Sequence, residues 1–146
     1  MNPKSIYRQT AIAGASPVRL VILLYEQMIQ DLTRAVQAIE RNQIERRTRE
    51  INHALTVLGY LQSTLDMERG RDVARTLVRF YSSIRAGLFR AHAQASKQVL
   101  GDQIACLLQV REAWLQVENS ATIPELPPLD TQSTDRSDKP GSVWEA

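Results

Sequence analysis

Glu50-Ile51-Asn52-His53 has the Glu-x-x-His spacing that puts a carboxylate and an imidazole on one helix face, the pairing used by di-iron helical bundles. A di-iron site needs the element twice. The only other histidine, His92, has Phe89 three residues before it, so the ligand set is half missing and no metal is expected. Cys106 lies between Ile104 and Leu107 in an apolar helical pattern, where a thiol packs as a small inert hydrophobe and is a poor nucleophile. Gly70 and Gly101 are isolated, and no Lys-Ser/Thr pair follows a glycine at the spacing of a phosphate-binding loop. Asp66, Glu68 and Asp72 gather in one interhelical stretch, where the electrostatics of helix ends account for them. The sequence offers no seat for catalysis and no cofactor, and a non-enzymatic protein is expected.

Two arginine groups, Arg41, Arg46, Arg47 and Arg49 and then Arg71, Arg75 and Arg79, have the density of a nucleic-acid footprint. Glu40, Glu45 and Glu50 interleave with the first group, and no aromatics alternate with the arginines to stack bases, so a solvated charged face is expected. The formal net charge of only +2 agrees with that reading. A lone cysteine asks for no oxidising compartment. The longest unbroken apolar run, Val21 to Tyr25, is far below the roughly 20 residues that span a bilayer. The small residues Ala11 to Ala15 precede that run, whereas a secretory cleavage site follows one. A cytoplasmic protein without membrane insertion is expected.

The elements that must carry any function are helical. Hydrophobic residues at 43%, charged residues at 23%, six Gly, six Pro and eight aromatics disfavour a barrel or sandwich. Ser16-Pro17 reads as a helix start, serine capping the free amides and proline losing no bond at the first helical position. From there Val18, Val21, Tyr25, Met28, Leu32, Ala35 and Ile39 step alternately by three and four, which predicts a helix to about Arg41. A second helix is predicted from Ile44 to Asp66 on Ile51, Leu55, Leu58 and Leu65. Met67 to Gly70 interrupts the pattern, Gly70 tolerating the angles that end a helix. A third helix follows from about Asp72 to Ala95 on Val73, Leu77, Phe80, Ile84, Leu88, Ala91 and Ala95. Ser96 is expected to cap a fourth, ending near Glu118 or Asn119. Similar lengths and short connections predict an all-α, antiparallel up-down four-helix bundle over residues 16–119. From Ser120 the composition shifts to Pro, Ser, Thr and Asp, predicting a disordered tail over residues 120–146 that carries −3 and leaves +5 on the body.

The helices have more apolar surface than one seam needs. Leu20 to Tyr25 is apolar around the whole circumference, and Ala54, Val57 and Leu61, then Ala74, Val78 and Tyr81, widen the second and third helices. Either these residues pack against two neighbours, or some form a groove for a partner's amphipathic helix. Residues 1–15, with Ile6, Tyr7, Ala11 and Ile12 amphipathic but too short to hold alone, read as a lid segment. A helical dimerisation or adaptor module would use the same faces and is the alternative.

Tyr7, the run SPVRLVILLY from Ser16 to Tyr25, Leu65-Asp66, Gly70, Leu77, Phe80-Tyr81 and Arg111-Glu112-Ala113-Trp114 together resemble the flagellin-specific export chaperone family FliS, over about Ile6 to Val117. The family's interhelical turn often has two glycines where this chain has Gly70-Arg71. The resemblance implies a cytosolic, non-enzymatic four-helix chaperone that binds the disordered C-terminal region of flagellin one to one. It would block premature polymerisation and support delivery to the export-gate component of the flagellar apparatus. On the surplus apolar faces and the resemblance together, the expected client-binding residues are Ile6 and Tyr7 on the lid, with Leu20, Leu24, Val57, Leu61, Leu65, Leu77, Val78 and Tyr81 on the helices.

Overall fold

The computed structural model describes residues 16–122, with side chains to Ser120. Four helices follow one another: α1 (Pro17–Glu40), α2 (Ile44–Ser63), α3 (Met67–Gln94) and α4 (Lys97–Thr122). Among the described residues there is no strand, and the architecture is the all-α four-helix bundle read from the sequence. The chain divides into two compact units, the second beginning at Ala113 within α4, and the core described below belongs to the first.

Antiparallel neighbours follow from residues that meet across the bundle. Asp31 meets His53 between α1 and α2, Gln62 meets Arg85 between α2 and α3, and a Cβ on Gly87 would strike the Gln103 side chain between α3 and α4. Glu26 with Arg111, and Glu40 with Lys97, close the ring between α1 and α4.

Capping fixes the helix starts. Ser16 Oγ accepts from Arg19 N at 3.1 Å with Pro17 in the first turn, and Ser96 Oγ accepts from Val99 N at 3.1 Å, both at the positions expected. Asp66 Oδ1 accepts from Glu68 N and Arg69 N. The connections each hold one non-glycine residue at positive φ: Asn42 (56°), Arg71 (45°) and Ala95 (48°). Asn42 tolerates that region because its short polar side chain bonds locally, whereas arginine and alanine bear the Cβ clash.

The second connection departs from expectation. α2 ends at Ser63, three residues before Asp66, and Met67 already begins a helical turn that is broken inside α3 at Arg71, with φ 45° and ψ −115°. Gly59 and Gln62 both lie beside Arg85, so the midpoint of the α2–α3 pairing falls near residues 72 and 73 and the reversal of the chain is at Arg71. Gly70 allows the tight approach: a Cβ there would stand 2.7 Å from the Ala74 Cβ. α4 runs to Thr122, beyond the expected end near Asn119.

The core uses the surplus apolar faces. No residue from Leu20 to Tyr25 is exposed. Ala54, Val57 and Leu61 are as fully buried as Ile51 and Leu58, while Leu55 is half-buried. On α3 the buried stripe is Ala74, Tyr81, Ile84, Leu88 and Ala91 with Leu77 half-buried, so the expected Val73 and Phe80 give way to their C-terminal neighbours. Tyr81 enters the core with its hydroxyl bonded to Tyr25, while Val73 is exposed and Phe80 half-buried. Cys106, expected in the core, is exposed. Leu100, Gln103 and Leu107 define the inward face of α4, and at about 100° per residue Cys106 sits roughly a quarter turn away.

Candidate protein-interaction surface

The polar groups inside the bundle are committed to structure. Tyr25 donates its hydroxyl to the Tyr81 hydroxyl at 2.9 Å, the ring centroids 6.2 Å apart at 61° in an edge-to-face pair. Burial, with Tyr25 beside it, pushes the Tyr81 phenol far above its ordinary value, so Tyr81 stays neutral. Asp31 is 1% exposed and is held by Gln27 Nε2 at 3.0 Å and by His53 Nδ1 at 2.5 Å. His53 is therefore a partner of a buried carboxylate. No group of three metal-ligating side chains occurs among the described residues. Arg111 donates from Nε at 2.8 Å and Nη2 at 2.5 Å to Glu26 Oε2, fastening α4 to α1.

The expected client residues separate by burial. Ile6 and Tyr7 lie outside the described residues. Leu20, Leu24, Val57, Leu61 and Tyr81 are buried, none more than 8% exposed, and serve the core of this structure. Leu65 and Leu77 are half-buried, and Val78 is 38% exposed. Around the same reversal stand two residues absent from the expected set, Met67 at 48% and Val73 at 64% exposure. Leu65, Met67, Val73, Leu77 and Val78 thus form a run of accessible apolar residues within 14 positions. Among the described residues, four more exposed large apolar side chains, Ile44, Phe89, Leu108 and Val117, lie elsewhere.

Val73 was hidden in the sequence because it fits a three-four stripe as well as Ala74 does, and apolar spacing alone does not choose between them. Met67 fell in a stretch read as a helix break. The surrounding charge is mixed: Arg75 pairs with Asp72, and Arg69 Nε lies 3.7 Å from Asp66 Oδ2. At about 100° per residue Val73 and Val78 stand roughly 140° apart around α3, on the two edges of its buried stripe, so each is open to an apolar segment from a different side.

Among the described residues no helix is long and apolar enough to cross a membrane. The family model for flagellar protein FliS matches residues 1–121. The flagellar secretion chaperone FliSB of Pseudomonas aeruginosa is 33% identical over 118 residues, 78% of this chain and 94% of its own length. The flagellar secretion chaperone FliS of Campylobacter jejuni is 29% identical over 119 residues, covering 82% of this chain and 93% of the relative, and that of Bacillus subtilis 25% identical over 119, covering 82% and 88%. This is a chaperone family and not an enzyme family, and the chain belongs to it: it is a FliS-family flagellar secretion chaperone.

Proposed function

We propose that the chain acts in the cytoplasm, binds the disordered C-terminal region of flagellin one to one, blocks premature polymerisation and supports delivery of the client to the export gate. The observation that carries this reading is the accessible apolar run Leu65 to Val78 on a member of a secretion-chaperone family. Burial contributes roughly 1.5–3 kcal/mol per large apolar side chain when complete. The half-buried members therefore supply only part of that, and the affinity must come from several contacts at once. The client orders as it binds, so its conformational entropy offsets part of the gain and keeps the complex reversible.

In the same proposal residues 1–15, with Ile6 and Tyr7, form a lid that yields apolar surface to the client, residues 16–119 are the chaperone body, and residues 120–146 are a separate tail. Leu20, Leu24, Val57, Leu61 and Tyr81 take part by shaping the wall behind the accessible residues.

The test is co-migration with a flagellin C-terminal peptide on a sizing column. Val73→Asp and Val78→Asp, at exposed positions, keep the helical signal and lose the complex. Retention of the complex by both variants would sink this placement of the site.

A further inference from the structure

At the end of the bundle away from the Arg71 reversal, the chain turns between α1 and α2 through Asn42, held at φ 56°. Asn42, Gln43, Ile44, Glu45, Arg46 and Arg49 line an open depression of about 520 Å³ there. Arg46 and Arg49 stand three residues apart, so their side chains share one face at the start of α2. Arg46 Nη1 donates to Gln43 Oε1 at 3.3 Å, which ties the Arg46 guanidinium to the lining. Beside them Ile44 is 64% exposed, as open as Val73 at the other end.

Charge at this end is unbalanced, with four arginines against two glutamates over residues 41–50. None of Arg41, Arg46, Arg47 and Arg49 meets a carboxylate among the described residues, and the interleaved Glu45 and Glu50 form no ion pair there either. Glu40 is already engaged, 3.6 Å from Lys97. Arg47, one turn before the buried Ile51, has its Nε buried without a hydrogen-bond partner. Elsewhere in the bundle arginines do find acids: Arg69 with Asp66, Arg75 with Asp72 and Arg111 with Glu26. A guanidinium is a planar fork that matches a carboxylate through two parallel hydrogen bonds. A nucleic acid fits less well, since Glu45 stands in the lining and no aromatic side chain is there to stack a base.

We propose that this end of the bundle is a second docking surface, taking an acidic peptide segment of another protein. Carboxylates of that segment pair with Arg46 and Arg49 while one of its apolar side chains covers Ile44. α2 has 20 residues, so about 30 Å separates this surface from the accessible apolar run at the Arg71 reversal. Both surfaces can be filled at once, and an acidic partner docked here leaves the client face open. Attraction between opposite charges speeds the encounter and weakens with salt, whereas the Ile44 contact does not, so part of the binding resists salt.

The test is a fluorescence anisotropy titration of the full chain against a short labelled peptide with one leucine between runs of glutamate, beside the same peptide with glutamine for glutamate. The glutamate peptide is expected to bind and the glutamine peptide not to. Arg46→Gln and Arg49→Gln each weaken binding about tenfold and Ile44→Ser about fivefold, with the helical circular-dichroism signal unchanged. Arg79→Gln and Val78→Asp, both on α3, leave the affinity as it was. No binding of the glutamate peptide overturns the proposal. So does an equal loss in Arg79→Gln, which would mean diffuse attraction to positive charge. Tighter binding of a labelled single-stranded DNA to the same arginines would give the surface to nucleic acid and overturn it. Peptide binding that appears only once the acidic residues beyond 122 are amides would give it to the chain's own tail, and overturn it too.

Discussion

Asp31 is a carboxylate almost without solvent, and its stability rests on the two donors that reach it, Gln27 and His53. Removing a donor from a buried acceptor costs the desolvation of the group left behind, so His53→Ala is expected to destabilise the fold by roughly 1–3 kcal/mol, read as a lower urea midpoint with an unchanged slope. The Tyr25–Tyr81 pair gives a second prediction, with its sign set by the raised phenol of Tyr81. The folded state keeps Tyr81 protonated while the unfolded chain ionises near pH 10, so stability is complete below that pH and is lost as pH rises through it. Tyr81→Phe is expected to flatten that alkaline decline, checked by denaturant midpoints between neutral and strongly alkaline pH. None of these roles was legible in the sequence. Asp31 looks in sequence like a solvated charge, and the Glu-x-x-His spacing around His53 does not point to its actual partner, 22 residues away.

At the scale of elements, the connections decide more than the helices do. Ala95 terminates α3 in the left-handed region with φ 48°, where a Cβ is disfavoured. Ala95→Gly is expected to stabilise the protein by about 0.5–1 kcal/mol, measurable as a rise in Tm. The four helices, the Ser16 and Ser96 caps and the antiparallel order were all legible, because apolar spacing and cap chemistry are local. The rotation of α3 was not: Val73 with Phe80 and Ala74 with Tyr81 are equally good stripes, and the choice depends on packing across the bundle, where Tyr81 meets Tyr25. Cys106 was misplaced for a related reason, since an apolar neighbourhood in sequence does not fix a direction when the inward face of α4 is set by Leu100, Gln103 and Leu107.

For the whole molecule, apolar residues too numerous for one seam had two possible uses, and the structure divides them. Val57 and Leu61 complete the core, so an aspartate at either is expected to unfold the chain, visible as loss of the helical circular-dichroism signal. Val73 and Val78 remain at the surface, where the same substitution spares the fold. The candidate site was thus only partly legible: leucines and valines look alike in sequence whether they face a neighbouring helix or a client. If apolar burial drives client binding, the affinity should change little with salt, because few charges are neutralised. The most direct measurement is titration calorimetry of the intact protein with the C-terminal peptide of its cognate flagellin at several temperatures. One-to-one binding with a large negative heat-capacity change is the predicted result. No heat at any temperature, together with no co-migration on a sizing column, would contradict the account of this chain as a flagellin-binding chaperone.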